Sequence, residues 1–513
     1  MPELIEMRLN TVNRDIPPAE TKPSEWTATN NVQFRNGFAI RSNGWSELFP
    51  PVPSPPQWSI NITRAGINYW IVGCETGIFR TDTAVWLDIT PTVFNASIET
   101  NQWTGGILNG IVVMNLANSQ NVPWYLDWTT NQMLPLPGWP SGVTCGALRT
   151  HKFHLFAMNI LDNGADFSDQ ILWSDSAAPG NVPATWLASP SNDAGSTILA
   201  DTPNPVIDGG TLRASFVIYK RNATYVANFV GGTFVFAFRL LFATSGILAR
   251  NCVDEYEGKA YVITDGDAYV HDGQSLQSLL QGRAKDEIFN QISDTAWPFS
   301  YVAIDRANQE VLFCFAPQGA DVPAVAVTYT VNTDSIGARQ IGSANHITSG
   351  IVTETGSSEA WEDDLETWAQ DTTIWNQTFF NASQDGMVVS DASAAQLFFL
   401  DGAIDQNGAP ISCIIRKDDY DFGKPEIYKL VSRIWPRVTA SSDVLLRVRV
   451  AGARTANDAP IWSPAVDFRP DEDEYVDTFS NGRFLSFEFS SEGGQPFQLD
   501  GFDVELQLGG KFG

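Results

Sequence analysis

Short apolar runs that end at turn residues repeat through much of this 513-residue chain. They are densest between Trp173 and Gly273, where FVIYKRNATYVANFV and GKAYVITDGDAYVHDG are each typical of a strand, a turn and a second strand. Further units of this kind occupy residues 68–82, 106–128, 147–160, 212–229, 258–273 and 301–316. Their spacing of roughly 30–60 residues is close to the length of a propeller blade. The sequence therefore predicts an all-β protein that contains a β-propeller of six or seven degenerate blades.

The length and composition agree with this fold class. Hydrophobic residues make up 43% of the chain, and 40 Gly and 29 Pro supply turns for many short strands. Because 513 residues exceed what one small core can hold, two or three domains are expected. Helix signals are sparse. The best helix candidate spans residues 275–292 and is interrupted by Gly282.

Three domains are predicted along the chain. Residues 1–50 indicate an extended N-terminal arm with a hairpin that leads into the first blade. The proline-dense segment 50–56 is typical of a linker, so the propeller is assigned to residues 51–400. Residues 401–513 alternate strongly between apolar and polar side chains, which predicts a C-terminal β-sandwich domain.

A Trp-rich acidic insertion lies near residues 357–378, inside the predicted propeller. Trp361, Trp368 and Trp375 recur there every seven residues, a spacing that would place them along one stripe of a helix. Few apolar residues lie between them, so a surface loop is an equal alternative.

The charge balance limits the choice of partners. The net charge is −28, with only 31 Lys and Arg, whereas a protein that binds nucleic acid through its phosphates needs the opposite balance. Tight DNA or RNA binding is therefore not expected. An acidic wall still lets DNA slide past without sticking, because like charges repel. The alternative is that the acidity serves only solubility.

The five cysteines are widely spaced and lie mostly in apolar strands, without a CxxC pair: Cys74, Cys145, Cys252, Cys314 and Cys413. This pattern predicts buried free thiols in a reducing compartment rather than disulfides or a zinc site.

No signal peptide and no membrane span are expected. The start, MPELIEMRLN, lacks a basic region followed by an apolar core. Residues 229–249 are apolar and long enough to cross a bilayer, but Arg239 lies at their centre and glycines interrupt them. Phe234, Phe236 and Phe238 alternate with smaller residues, so two buried strands around a turn are predicted.

No constellation of catalytic residues stands out. Walker A, HExxH, GxSxG and EF-hand motifs are absent from the sequence. The histidines are His151, His154, His271 and His346, and we assign them structural roles in preference to metal binding. We therefore predict a non-enzymatic protein with no catalytic residues, no metal site and no cofactor.

Three groups of acidic residues are candidate sites. They are Asp265, Asp267 and Asp272 in the TDGDAYVHDG segment, Asp363, Asp364 and Glu366 in the Trp-rich insertion, and the run Asp471 to Glu474. Glycosidases need two carboxylates that face each other across a cleft, which neighbouring acids in one turn do not provide. Turn chemistry explains the first group best, with calcium binding as an alternative. The last group is typical of a solvated loop.

A carbohydrate-binding propeller, lectin-like or glycosidase-like, is the alternative function. The chain contains 17 Trp and 12 Tyr, and aromatic rings at a surface can stack on sugars. Most of the tryptophans are nevertheless predicted to fill the cores of blades.

Three regions resemble the tail nozzle, or tail hub, proteins of short-tailed bacteriophages. Residues 25–45 are similar to the N-x-x-F-x-x-G-x-x-x-R-x-G opening of that family, which Asn31, Phe34, Gly37, Arg41 and Gly44 fit. In the middle, Trp173, Ser174, Asp175, Trp186 and residues 258–273 are similar to the propeller section. Residues 421–435 and 481–491 resemble strands of the family's C-terminal domain.

The resemblance implies a structural virion protein. Family members assemble as a hexameric ring below the portal and adaptor, close the DNA exit channel and conduct DNA during ejection. The implied partners are further copies of the chain, the adaptor (head-to-tail connector), tail fibres or tailspikes, a tail needle or plug, and viral DNA that passes the lumen without tight binding. The implied location is the phage tail of the virion, after synthesis in the host cytoplasm. The residues that line the channel are left unassigned.

Overall fold

The computed structural model describes residues 3–82, 85–97, 101–117, 120–232, 234–352, 384–440, 444–456, 458–493 and 495–511. The protein is all-β. Among these residues the helices are one α-helix, Lys285–Gln291, and the 3-10 turns Pro18–Glu20 and Trp297–Phe299.

Seven units of four antiparallel strands fill most of residues 44–403, and we number them sheet 1 to sheet 7. Sheet 1 consists of Pro56–Arg64, Ile67–Cys74, Ile78–Thr81 and Leu87–Asp88. Sheet 2 consists of Trp103–Leu108, Ile111–Leu116, Trp124–Asp127 and Gln132–Pro135. Sheet 3 consists of Val143–His151, His154–Asp162, Ala165–Trp173 and Gly195–Ile198. Sheet 4 consists of Val206–Leu212, Ser215–Lys220, Thr224–Phe229 and Phe236–Phe242. Sheet 5 consists of Val253–Tyr256, Lys259–Ile263, Ala268–His271 and Leu276–Ser278. Sheet 6 consists of Tyr301–Asp305, Glu310–Phe315, Val325–Thr330 and Ser335–Gln340.

Sheet 7 takes its strands from two distant parts of the chain. Ala344–Val352, Gln384–Asp391 and Leu397–Ala403 follow one another, and Gly44–Glu47 pairs with the last of them as the fourth strand. The N-terminal region therefore completes the last of the seven sheets.

The seven sheets follow one another in space as in a propeller. The first strand of each sheet lies beside the first strand of the next, and that of sheet 7 lies beside that of sheet 1. Hydrogen bonds join these last two strands, since the Asn345 side-chain amide donates to the Pro56 carbonyl at 2.9 Å and Thr348 donates to the Ser59 carbonyl at 2.8 Å. The arrangement is consistent with propeller-like blades.

Apolar clusters fill the spaces between consecutive sheets. One cluster joins sheets 1 and 2 through Trp58, Trp103 and Trp124, and another joins sheets 3 and 4 through the stacked rings of Phe156 and Phe216. Similar clusters lie between sheets 2 and 3, sheets 6 and 7, and sheets 7 and 1. Each sheet therefore buries both of its faces against its neighbours, which explains why so many strands are apolar on both sides.

The N-terminal segment contributes strands to several sheets. Its strands are Glu3–Met7, Thr11–Val12, Glu25–Trp26, Ala28–Asn30, Val32–Arg35, Phe38–Arg41 and Gly44–Glu47. Asn36 and Gly37 have φ of 52° and 85°, which the tight turn of the Val32–Arg41 hairpin requires. This hairpin pairs with the last strand of sheet 6 on one side and with Phe497–Lys511 on the other. The chain reaches sheet 1 only afterwards.

The C-terminal strands form two larger sheets. Phe497–Lys511 pairs with Ile427–Ala440, which pairs with Val476–Gly482, and Glu3–Met7 also pairs with Phe497–Lys511. The other sheet contains Ser412–Tyr420, Leu446–Ala453, Ile461–Trp462, Val466–Phe468, Phe484–Glu492 and Ala28–Asn30. Phe489 and Phe502, one from each sheet, lie 4.9 Å apart between ring centroids inside a shared apolar cluster.

Two local predictions are tested by these elements. The helix predicted over residues 275–292 forms only after Gly282, as Lys285–Gln291. The prediction of a helix before Gly282 is wrong, because Leu276–Ser278 pairs as the fourth strand of sheet 5. Residues 229–249 contain one paired strand, Phe236–Phe242, whose partner Thr224–Phe229 ends where the segment begins. The pairing is as predicted, but the strand is not buried throughout, since Ala237 and Arg239 are exposed. No helix in the described part of the chain is long and apolar enough to cross a membrane.

Candidate functional site

The carboxylates of the TDGDAYVHDG segment lie in turns of sheet 5 and hold those turns together. Asp267 is buried, accepts hydrogen bonds from the Ala268 backbone N–H and the Ser278 hydroxyl, and forms an ion pair with Lys285 at 3.2 Å. Asp272 accepts the backbone N–H of Gln274 and of Ser275, and these bonds lower its pKa to about 2.

Asp265, by contrast, is 75% exposed and contacts Arg221 at 3.4 Å. No group of three or more possible metal ligands occurs among the residues that the structure describes. The calcium alternative therefore finds no ligand cluster there, whereas turn formation accounts for Asp267 and Asp272.

Of the two other acidic groups, only one can be placed. Asp363, Asp364 and Glu366 lie outside the described residues, as do Trp361, Trp368 and Trp375. Asp471 to Glu474 are all exposed and precede the strand Val476–Gly482. The 14 described tryptophans are all buried or half-buried, and carbohydrate binding stays a prediction.

The four histidines lie inside or between sheets, and two of them, His151 and His154, are opposite each other in sheet 3. Each makes a hydrogen bond with a nearby group: His151 with Thr211, His154 with the Ser174 carbonyl, His271 with Tyr219 and His346 with Thr348. Burial lowers the pKa of His151 and His271 to about 4 and that of His346 to about 3, so these three are neutral at pH 7. The five cysteines are free and buried, as predicted.

A cavity of about 240 Å³ lies where the first strands of sheets 2 to 5 meet. Its polar lining comes from Arg149, Thr150, Thr211, Asp254 and Glu255. Gly210 faces open space, since a Cβ built there would meet no atom within 4 Å. The cavity is therefore a polar space at the inner edge of the sheets.

The wall of this cavity is fixed by a buried ion pair. Arg149 donates to both carboxylate oxygens of Asp208 at 2.8 and 2.6 Å and to the side-chain oxygen of Asn251 at 2.7 Å. Asp208 is fully buried and also accepts the backbone N–H of Asn251. These three residues come from sheets 3 and 4 and from the start of sheet 5, so spacing in the sequence could not have connected them. The only local signal was the glycine pair at 209–210 inside a strand, which favours close approach of another group.

Asp254 is the carboxylate in the cavity lining whose pKa the fold shifts. Burial raises its pKa to about 6, although Arg306 and Arg149 act in the opposite direction. Relative to the unfolded chain, the fold therefore disfavours the ionised carboxylate, and its charge at neutral pH costs stability.

Replacing Asp254 with asparagine is expected to stabilise the protein at pH 7.5 by about 1–2 kcal/mol, since one pKa unit corresponds to about 1.4 kcal/mol and the side chain is only half-buried. The folded pKa lies above the unfolded one, so the gain should shrink as the pH falls from about 6 to 4. Urea unfolding of both proteins at pH 4 and 7.5 measures it. Asp272→Asn is the control and should lower the free energy of unfolding instead of raising it, because the fold lowers the pKa of Asp272. An equal effect of Asp254→Asn at both pH values would contradict the assignment.

Residues of the opening motif at 31–44 meet at a junction of the N-terminal hairpin, sheet 6, sheet 7 and the C-terminal strands. Asn31 has φ of 53°, a left-handed conformation that Asn tolerates. Its side-chain amide donates to the Ser412 carbonyl, and its side-chain oxygen accepts the Gln340 backbone N–H, both at 2.8 Å. One side chain thus links the C-terminal strands to sheet 6.

The other motif residues also have roles at this junction. Phe34 is fully buried in the cluster that joins sheets 4 to 6 to the C-terminal strands. Arg41 is buried and donates to the carbonyls of Ile404 and Ile411 at 3.1 and 3.3 Å. Gly44 lies against Asp405, whose carbonyl oxygen would be 1.6 Å from a Cβ at this position.

Four charged residues surround the same junction. Arg35 donates to both carboxylate oxygens of the fully buried Glu310 at 2.9 Å, and Arg339 binds Asp401 at 2.8 Å. Arg35 also lies 3.7 Å from Asp401, so the two pairs form one network. Burial raises the pKa of Glu310 despite the neighbouring Arg35. The network connects the hairpin to sheets 6 and 7.

Comparison with known proteins gives little further information. No protein-family model matches this sequence, and no curated protein sequence matches it significantly. Among solved structures, the chain is similar to the CNH domain of AfRom2, with 9% sequence identity and a TM-score of 0.34 over 69% of this chain and 96% of that chain. So distant a likeness does not identify a family.

Proposed function

We propose that sheets 1 to 7 are the blades of one closed seven-bladed propeller and that the two C-terminal sheets form a sandwich. The adjacency of all seven first strands supports the closed ring, and Gly44–Glu47 would close it by joining the last blade. The contact between Phe489 and Phe502 supports two facing sheets.

This architecture serves as a structural subunit of the tail nozzle, or hub, of a short-tailed bacteriophage. The proposal rests on the positions of the five residues of the family's opening motif. Each of them lies either in the hairpin turn or at the junction, and its residue type is suited to that position. Asn31 bridges two sheets, Phe34 and Arg41 are buried, Gly37 makes the hairpin turn and Gly44 allows close backbone contact.

The net charge of −28 suits a protein past which DNA slides. Phosphates are repelled by a surface of like charge, so the DNA is not held in the exit channel. In this proposal the work is done by shape, ring symmetry and charge, and no residue is catalytic. The partners are further copies of the chain, most simply six, together with the adaptor, tail fibres or tailspikes, and a needle or plug. The location is the virion tail.

Light scattering and negative-stain imaging of the purified full chain test this proposal. We expect rings with a central opening, most simply of six copies, and the chain should also be found in purified virions by mass spectrometry. A gel-shift assay with duplex DNA at about 0.15 M salt should show no tight binding, given the acidic charge. A protein that stays monomeric at all concentrations and is missing from virions would contradict the proposal.

A further inference from the structure

One face of the propeller-like region presents four exposed cations. The turns between the first and second strands of sheets 3, 4 and 6 contain Lys152, Arg213 and Arg306, and Lys259 begins the second strand of sheet 5; all four are exposed. None of the four forms an ion pair within the described residues. Glu257 is the one exposed acid in these turns of sheets 3 to 6. In a chain of net charge −28, this face is a local positive region.

Contacts between neighbouring turns show that these cations share one face. Gly258 lies against the Arg213 guanidinium, which connects the turns of sheets 4 and 5. Arg306 of sheet 6 donates to the Glu255 carbonyl of sheet 5 at 3.2 Å. Lys152 of sheet 3 lies over the ring of Phe229 in sheet 4, 5.9 Å from its centroid.

Apolar side chains are exposed on the same face beside Lys152. Phe153 follows it directly and is 53% exposed, while Phe229, Val230 and Phe234 project from the hairpin of sheet 4, with Phe234 78% exposed. We call Lys152, Phe153, Arg213, Phe229, Val230 and Phe234 the basic-apolar face. Exposed apolar groups rimmed by charge are typical of a protein interface.

A surface of the opposite character lies in the C-terminal region. Residues 471–479 expose the four acids Asp471 to Glu474, Asp477, and the rings of Tyr475 and Phe479, the latter 69% exposed. Arg469 and Arg433 each pair with one of these acids, which leaves a net negative charge. We call residues 471–479 the acidic-aromatic edge.

We infer that the acidic-aromatic edge of one copy docks on the basic-apolar face of the next copy. The two surfaces are complementary in charge, and both offer exposed apolar groups. They lie on different parts of the chain, so the contact is head-to-tail, the type that generates a ring when its rotation closes. This inference rests on the proposed ring-forming function and assigns the surfaces that build the ring.

Charge reversal tests the assignment. The face variant is Lys152→Glu with Arg213→Glu, and the edge variant is Glu472→Lys with Glu474→Lys. Because like charges would then oppose each other, each variant alone should raise the concentration for half-assembly at least about ten-fold. Wild-type assembly should weaken between about 50 and 500 mM NaCl. Light scattering and native mass spectrometry give both measurements on the full chain.

Recombination of the variants separates a direct contact from a folding defect. A 1:1 mixture of the face and edge variants, or one chain with all four substitutions, restores opposite charges at each contact and should recover assembly. The matched control is Asp265→Lys with Asp321→Lys, two exposed acids in other turns, which should leave assembly unchanged.

Each other outcome contradicts one specific claim. Wild-type rings that survive both single variants, or no recovery in the mixture, would overturn this inference while leaving the ring-forming function intact. A wild type that never assembles would contradict the function itself. Retention of duplex DNA by the wild type, lost in the face variant, would assign the face to phosphate rather than to a second copy.

Discussion

Replacing Glu310 with alanine is expected to lower the free energy of unfolding by about 3–5 kcal/mol. Glu310 is fully buried and binds Arg35 through two hydrogen bonds of 2.9 Å, so its removal leaves a largely buried guanidinium without its main partner. Urea unfolding at pH 7 measures the change. Arg35→Ala should cost a similar amount, because it leaves the carboxylate buried instead.

The double variant Arg35→Met, Glu310→Leu makes this prediction specific to the ion pair. Burial raises the pKa of Glu310 even beside Arg35, because desolvation of the carboxylate outweighs its attraction to the guanidinium. Apolar side chains of similar volume should therefore recover most of the lost stability. The exposed pair Arg447–Glu492 is the control, and Glu492→Ala should change stability by less than about 1 kcal/mol. A small effect of Glu310→Ala would mean that water reaches the junction.

Replacing Gly44 with alanine is expected to destabilise the protein by at least about 3 kcal/mol. The new Cβ would lie 1.6 Å from the Asp405 carbonyl oxygen, so the strand Gly44–Glu47 must move away from sheet 7. Thermal unfolding and limited proteolysis after residue 44 report the loss of this strand. Because backbone atoms form the obstacle, no rotamer change can relieve it.

Gly210→Ala is the matched control for this substitution. Gly210 also lies in a strand, but a Cβ there meets nothing within 4 Å, so stability should be unchanged or slightly higher. Equal stability of the Gly44→Ala and Gly210→Ala proteins would show that sheet 7 does not depend on its N-terminal strand.

Local features of this fold could be predicted from the sequence, because neighbouring residues determine them. The Asn36–Gly37 pair predicts the hairpin at 32–41, and the Asp and Gly residues of TDGDAYVHDG predict turns, as the structure shows for Asp267 and Asp272. The alternation of apolar side chains predicts strands in the same way. Leu276–Ser278 is an exception, since pairing with Ala268–His271 outweighs its helical spacing.

Features that join distant segments could not be predicted. Arg149 and Asp208 meet only after sheets 3 and 4 pack, and Arg35 meets Glu310 only after the hairpin docks on sheet 6. No periodicity in the sequence relates such residues, so neither the cavity nor the junction network is predictable from it. Residues of the opening motif lie at this junction, where the contacts of Asn31 and Gly44 explain why these residue types are suited to it.

The position of Gly44–Glu47 has a consequence for biosynthesis. Phe398, the partner of Glu47, follows it by 351 positions, and ribosomes add roughly 5–20 residues per second. The strand Gly44–Glu47 is therefore synthesised about 20–70 s before its partner strand Leu397–Ala403. A nascent chain cannot complete sheet 7 until Ala403 has been synthesised, so translation products that end earlier lack a complete sheet 7 and are open to degradation.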